Sequence, residues 1–118
     1  MVQRLTELVD GFDPQPAHAS LFGSFARGDA DERSDIDLLL LAATSRDAAR
    51  WEASLDLMRQ RVLLWTGNRC QCMVLTVTRI RELNAAKEPI VANWLEDGLV
   101  LSGPPLGDVI RRTAGVKR

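Results

Sequence analysis

The chain has 118 residues, a formal net charge of −1 and 46% hydrophobic residues, which suits one small domain with its own core. The near-neutral charge excludes the overall basic field typical of nucleic-acid-binding domains, so a nucleic-acid partner is not indicated. No apolar run reaches the length of a membrane span, and the first residues lack a signal-peptide pattern. The sequence therefore predicts a soluble, cytoplasmic protein with no membrane partner.

The hydrophobic pattern predicts alternating helices and strands along the chain. Polar or Pro-containing segments at 13–16 and 28–34 separate the first of these elements. In chain order, the predicted elements are a helix over 2–10, a strand over 17–22, a helical turn over 24–27, a strand over 35–42, a helix over 47–66, a strand over 70–77, a short helix capped by Thr78, a helix over 88–97 and a strand over 99–101. This order is compatible with an α/β fold.

The longest predicted helix, over 47–66, has one continuous apolar stripe. Its apolar residues recur at spacings of three and four, which is the helical period. The members of the stripe are Ala48, Trp51, Leu55, Met58, Val62 and Trp65. Gly67-Asn68 follows and ends the helix. We expect both tryptophans to be core residues and not platforms on which bases stack.

The sequence Gly103-Pro104-Pro105 marks the end of the compact domain, which we assign to residues 1–103. Residues 104–118 end in several basic side chains and are predicted to form a flexible tail. Those basic side chains could meet phosphates, but a solvated tail is the favoured interpretation.

Two cysteines, Cys70 and Cys72, are separated by one residue in a predicted strand. This spacing places both thiols on one face, where they are poorly arranged to bridge each other and too few to close a zinc site. We therefore expect reduced, partly buried thiols.

Two short motifs lie on either side of the polar loop. Gly23-Ser24 ends one apolar run, and after ten intervening residues Asp35-Ile36-Asp37 opens the next. Side chains alternate faces along a strand, so the two carboxylates point the same way. An ordinary turn and a solvated strand edge could contain the same residues. However, the four leucines that follow Asp37 predict a strand buried on both faces, which places the acids at the rim of a sheet.

This pairing of motifs predicts a metal–nucleotide site. Two adjacent carboxylates repel each other unless a cation lies between them, and Mg²⁺ prefers oxygen ligands shared with substrate phosphates. The Gly-Ser turn offers backbone N–H groups and a small hydroxyl to those phosphates.

The arrangement of Gly23-Ser24, ten residues and Asp35-x-Asp37 resembles the nucleotidyltransferase superfamily related to DNA polymerase beta. It is most similar to the bacterial minimal nucleotidyltransferases, in which Arg27-Gly28 and Ser34 also have counterparts. The similarity covers about residues 16–103. It implies the nucleotidyltransferase fold, an α/β (α+β) arrangement with a small mixed β-sheet flanked by helices.

The resemblance also implies a reaction and its residues. It assigns Asp35 and Asp37 as catalytic ligands of Mg²⁺, and Gly23, Ser24, Arg27 and Ser34 as nucleotide-binding residues. The expected substrate is ATP or another nucleoside triphosphate. The expected reaction transfers a nucleoside monophosphate from it to a hydroxyl group, and AMP is the favoured monophosphate. Minimal nucleotidyltransferases often act as antitoxins beside HEPN-domain toxins, so a HEPN-type toxin or another protein is the expected acceptor. The chain contains no tyrosine, so any tyrosyl acceptor must come from another protein.

The chain departs from the family pattern in the strand predicted over 70–77. Family members place a third carboxylate there, but this segment contains no acid. Gln71 or Met73 could share a face with the metal site, and neither can act as a base. Glu82, Glu88 and Glu96 are the acids that a neighbouring helix could supply. The alternative function is therefore a catalytically weak or inactive nucleotide- or partner-binding module of the same fold.

Overall fold

The computed structural model describes residues 2–28, 31 and 34–116, with side chains as far as Arg111. Its helices and strands follow the predicted order closely. They are α1 (Val2–Asp10), β1 (His18–Phe22), α2 (Ser24–Arg27), β2 (Ile36–Ala42), α3 (Ser45–Ala49), α4 (Glu52–Thr66), β3 (Cys70–Thr76), α5 (Val77–Ala85), α6 (Pro89–Asp97), β4 (Leu99–Ser102) and α7 (Leu106–Val116).

The four strands form one mixed sheet in the order β3-β2-β1-β4. Strand β1 is antiparallel to both β2 and β4, whereas β2 and β3 are parallel. The leucine-rich β2 occupies a central position because its side chains can be buried on both faces of the sheet. The predicted small mixed sheet flanked by helices is confirmed.

Alternate leucines of β2 enter two separate cores. Leu38 and Leu40 pack with apolar residues of α1 and α4, whereas Leu39 and Leu41 pack with those of α5, α6 and α7. All four side chains have no exposed surface. Burial of each leucine contributes about 1.5–3 kcal/mol, so this strand holds the two helical layers on opposite faces of the sheet.

The helix predicted over 47–66 is interrupted, so that prediction is wrong at one point. Thr44 caps α3 by accepting a hydrogen bond from the backbone N–H of Asp47 at 3.1 Å, and α3 ends at Ala49. Helix α4 starts after Trp51, whose side chain is fully buried and donates its indole N–H to the carbonyl of Pro14 at 2.7 Å. The break allows Trp51 to reach the core beneath the 13–16 segment.

The two tryptophans of the predicted stripe differ in burial. Trp51 is a core residue, as predicted, and packs edge-on against Phe12 with ring centroids 5.4 Å apart. Trp65 is 36% exposed, so its assignment to the core is wrong. The guanidinium of Arg4 lies 5.0 Å from the centre of the Trp65 ring, and this cation–π contact stabilises the ring at the surface.

Helix α5 begins two residues earlier than its predicted cap allows. The hydroxyl of Thr76, not that of Thr78, accepts the capping hydrogen bond from the N–H of Arg79 at 3.0 Å. Strand β3 therefore passes directly into the helix, because its last residue is also the cap.

The segment after Gly103 forms α7, where the sequence alone predicted a flexible tail. Leu106 and Val109 are buried in the same core as residues of α5 and α6, and Ile110 packs beside them. This spacing of three and four residues gives the helix one apolar face. Arg111 is the one basic residue of the predicted tail whose side chain is among those described. The side chains of the remaining three lie outside the described part: Arg112, Lys117 and Arg118.

The two cysteines are free thiols, as predicted. Both side chains point to the core that contains α4, with their Sγ atoms 3.8 Å apart. Within the described residues, no helix is both long enough and apolar enough to cross a membrane.

Candidate active site

A sharp turn at the end of β1 places Gly23 directly against Asp37. Phe22, the last residue of β1, pairs with Asp37 of β2, so the next residue lies beside the aspartate. Gly23 has φ 79° and ψ −155°, a conformation open almost exclusively to glycine. A Cβ added at Gly23 would lie 2.7 Å from Oδ2 of Asp37. The fold therefore joins the two predicted motifs in one place.

The turn continues into α2, a single helical turn that runs from Ser24 to Arg27. Gly28 closes it in the left-handed conformation, with φ 81°. Arg27 Nη2 lies 3.5 Å from Ser24 Oγ, at the outer limit of a hydrogen bond. Because both side chains lie beside Gly23, the predicted nucleotide-binding residues Gly23, Ser24 and Arg27 are neighbours in the structure.

The two carboxylates lie at the start of β2, as the motif predicted. Both are only partly buried, which leaves them accessible at the rim of the sheet. Gln71 donates a hydrogen bond from Nε2 to Asp35 Oδ2 at 2.8 Å, and Arg69 Nε lies 4.0 Å from the other oxygen of Asp35. The guanidinium of Arg69 is largely solvent-exposed, so it neutralises the pair only weakly.

Burial raises the pKa of the Asp37 carboxyl above its ordinary value, and the charge of nearby Asp35 raises it further. Both effects disfavour the ionised form of Asp37, and a bound cation would reverse them. Carboxylate oxygens are also the donors that Mg²⁺ prefers. The donor set and the charge therefore fit a divalent metal ion.

The parallel register of β2 and β3 sets Gln71 opposite Asp37. Of the two residues considered for this face, Gln71 therefore lies beside the carboxylates, and Met73 lies farther along the same strand. Both line a cavity of about 100 Å³ that also borders Phe22 and Asp37. Among the described residues, no group of three or more His, Cys, Asp or Glu side chains is arranged to hold a metal.

The glutamates considered as substitutes lie elsewhere. Glu82 pairs with Arg79 on α5 at 3.3 Å. Glu88 precedes α6, and both it and Glu96 are exposed. Within the part of the chain that the structure describes, none of these three side chains lines the cavity that Asp37 and Gln71 border.

Ser34 shapes the loop that leads to the carboxylates. Its hydroxyl accepts from the N–H of Asp31 at 3.1 Å and donates to the carboxylate of that residue at 3.3 Å. Its carbonyl accepts from Nδ2 of the buried Asn68 at 2.7 Å. The described contacts of Ser34 thus support the loop, and its nucleotide-binding role stays a prediction.

Sequence reasoning did not find Asp97. This residue ends α6, and its Oδ2 lies 3.9 Å from Nη1 of Arg27. No motif marks Asp97, since the two side chains meet only when α6 packs beside the Gly23 turn.

A comparison with protein families connects this geometry with known proteins. The family described as "Polymerase beta, Nucleotidyltransferase" matches residues 3–103. The chain belongs to this family. No curated protein matches it.

Several solved structures share the fold of this chain. One, a mutant of the toxin–antitoxin MntA-HpeT, is 18% identical and has a TM-score of 0.64, with 99% of this chain and 86% of the other covered. A second, a toxin–antitoxin with AMP-PNP, is 19% identical and has a TM-score of 0.62, with coverages of 98% and 86%. A third, the tri-AMPylated Shewanella oneidensis HEPN toxin in complex with MNT antitoxin, is 19% identical and has a TM-score of 0.54, with coverages of 99% and 87%. These similarities confirm the predicted nucleotidyltransferase fold.

Proposed function

We propose that this protein binds a nucleoside triphosphate with Mg²⁺ and transfers a nucleoside monophosphate, with AMP favoured, to a hydroxyl group of another protein. The observation that carries the proposal is the contact between the Gly23 turn and Asp37. A phosphate group held by the turn would lie next to the carboxylates that hold the metal. This adjacency is what transfer from a metal-bound triphosphate requires.

Each residue of the site has a distinct task in this proposal. Asp35 and Asp37 hold Mg²⁺, which when bound neutralises phosphate charge and orients the triphosphate. The backbone N–H groups after Gly23 and the hydroxyl of Ser24 bind phosphate oxygens. Arg27 offsets the negative charge that develops as the bond to the leaving diphosphate breaks.

The proposed acceptor is a HEPN-type toxin, and the protein would then act as its antitoxin. Solved structures of similar fold contain toxin–antitoxin assemblies, one of them with an AMPylated HEPN toxin. Because this chain has no tyrosine, it cannot modify a tyrosine of its own. The acceptor hydroxyl therefore belongs to a second protein if it is phenolic.

A second candidate function is nucleotide or partner binding with weak or no transfer. Gln71 favours it, because this amide occupies the position opposite Asp37 and already donates a hydrogen bond to Asp35. An uncharged amide cannot remove the proton of an attacking hydroxyl at neutral pH. As a nucleotide-binding module, the second candidate uses the same site as the first and differs from it only in turnover.

Titration calorimetry with ATP in the presence and absence of Mg²⁺ tests the shared site. The wild-type chain should bind ATP in a Mg²⁺-dependent manner, and Asp35→Ala or Asp37→Ala should abolish that dependence. Asp56→Asn is the matched control, because Asp56 is an exposed acid that pairs with Arg59 on α4. Equal ATP affinity in the wild type and in a variant with both aspartates changed to asparagine would refute the metal site.

Transfer of label from α-³²P-ATP to purified candidate toxins then separates the two functions. Labelling that requires both aspartates supports the transferase. Mg²⁺-dependent binding without labelling of any candidate supports the binding module.

A further inference from the structure

A groove lies between the Gly23 turn and helix α6, and it has a volume of about 350 Å³. This volume falls within the range of about 300–1,000 Å³ that small-molecule sites occupy. Its lining residues are Phe22, Gly23, Arg27, Ile90, Asn93, Trp94 and Asp97. We refer to this feature as the α6 groove. Since Gly23 and Arg27 form one of its walls, the groove is continuous with the proposed phosphate-binding turn.

One face of α6 supplies the opposite wall. Four groove residues of α6 lie on a single helical stripe, because the last three follow the first at the helical spacings of three, four and seven positions. They are Ile90, Asn93, Trp94 and Asp97. Trp94 is 5% exposed and packs against Phe22 with ring centroids 5.9 Å apart, which fixes its position. Ile90 is 43% exposed. The wall therefore combines fixed apolar surface with the single neutral polar side chain of Asn93.

Asn93 is exposed, and its amide has no hydrogen-bond partner among the residues that the structure describes. A carboxamide can donate and accept a hydrogen bond at the same time. Adenine presents the complementary pair on one edge, where the amino group N6 donates and the ring nitrogen N7 accepts. On the same edge guanine presents two acceptors, O6 and N7, so a carboxamide can satisfy only one of them.

We propose that the α6 groove binds the nucleobase of the triphosphate and that Asn93 selects adenine by pairing with its N6 and N7 atoms. This inference rests on the proposed function, because it presumes that the triphosphate lies on the Gly23 turn. Phe22 and the exposed side chain of Ile90 supply the apolar surface against which the base lies, and the buried Trp94 packs against Phe22. Asn93 is thus a specificity-determining residue, and it has no part in the chemical step.

Calorimetric titration of Mg²⁺ complexes of ATP, GTP, 7-deaza-ATP and tripolyphosphate tests the inference. A good pair of such hydrogen bonds is worth about 5- to 150-fold in discrimination between bases. The wild-type chain should therefore bind ATP more tightly than GTP by a factor in this range. It should also bind 7-deaza-ATP, which lacks the N7 acceptor, more weakly than ATP.

Asn93→Ala should lower ATP affinity to that of GTP and remove the difference between ATP and 7-deaza-ATP. Its affinity for tripolyphosphate should equal that of the wild type, because the phosphate-binding turn is unchanged. Asn84→Ala is the matched control, since Asn84 is an exposed asparagine of α5 outside the groove. It should retain the wild-type preference for ATP.

Failure of this inference can be told apart from failure of the proposed function. If the wild-type chain binds ATP and tripolyphosphate but Asn93→Ala keeps the full preference for ATP, the assignment of Asn93 is wrong and the proposed function stands. Equal wild-type affinity for ATP and 7-deaza-ATP would overturn the N7 contact without any variant. If the wild type binds neither ATP nor tripolyphosphate with Mg²⁺, both proposals fall.

Discussion

Gly23→Ala tests whether the turn after β1 and the carboxylates of β2 act as one site. The added Cβ would lie 2.7 Å from Asp37 Oδ2, whereas ordinary van der Waals contact begins at 3.4 Å. The Asp37 carboxylate would therefore have to move by about 0.7 Å. In addition, alanine would have to adopt a φ of 79° with a ψ of −155°.

The expected loss of stability has two parts that a matched control separates. The backbone conformation of Gly23 costs a residue other than glycine about 1–3 kcal/mol. Gly67 also has a positive φ, 75°, but a Cβ there would meet nothing within 4 Å. Gly67→Ala should therefore show only a backbone cost of about 1–2 kcal/mol. Domains of this kind have unfolding free energies of about 5–15 kcal/mol, so both variants should still fold.

Urea unfolding and calorimetry with nucleotides measure these effects. Gly23→Ala should lower the free energy of unfolding more than Gly67→Ala does. It should also weaken Mg²⁺-dependent binding of both ATP and GTP by about tenfold or more, which corresponds to a loss of at least about 1.4 kcal/mol of binding free energy. Gly67→Ala should bind both nucleotides with wild-type affinity. Wild-type ATP affinity in Gly23→Ala, or a change in base preference alone, would refute the proposed role of this turn.

Three further predictions concern the missing acid, the buried histidine and Arg27. Gln71→Asp should raise the rate of AMP transfer to a suitable acceptor by about a hundredfold to ten-thousandfold, because a positioned general base contributes that much. Robust multiple-turnover transfer by the wild type would show that another residue supplies the third carboxylate. Burial lowers the pKa of His18, although its hydrogen bond to the Pro104 carbonyl opposes the shift. The unfolded chain therefore takes up a proton on this imidazole at a higher pH than the folded chain does. As a result, the free energy of unfolding should fall as the pH drops from about 7.5 to about 5.5. His18→Asn, which cannot titrate, should flatten this decline in urea unfolding, and an unchanged slope would contradict the assignment. Asp97→Asn should change stability by less than about 1 kcal/mol, because Asp97 and Arg27 are 37% and 47% exposed. It should raise affinity for Mg²⁺-tripolyphosphate in calorimetry, since Arg27 loses a competing carboxylate, and an unaltered affinity would show that Asp97 does not restrain Arg27.

Local patterns in the sequence determined most of the elements and the centre of the site. The alternation along β2 and the short spacing from Gly23-Ser24 to Asp35 depend on residues close together in the chain. Such patterns repeat with the period of a strand or of a helix, and each period spans only a few residues. The helix over 2–10 and the turn over 24–27 were found for the same reason.

The tertiary structure decided which distant residues meet. The β2–β3 register, not the sequence of either strand, set Gln71 opposite Asp37. Packing of α6 beside the Gly23 turn brought Asp97 to Arg27 and Asn93 to the wall of the groove. The break at Arg50 and Trp51 likewise accompanies a long-range contact, the hydrogen bond from Trp51 to Pro14, 37 positions away in the chain. These features depend on contacts between segments far apart in sequence, and such contacts form only when the sheet and its two helical layers assemble.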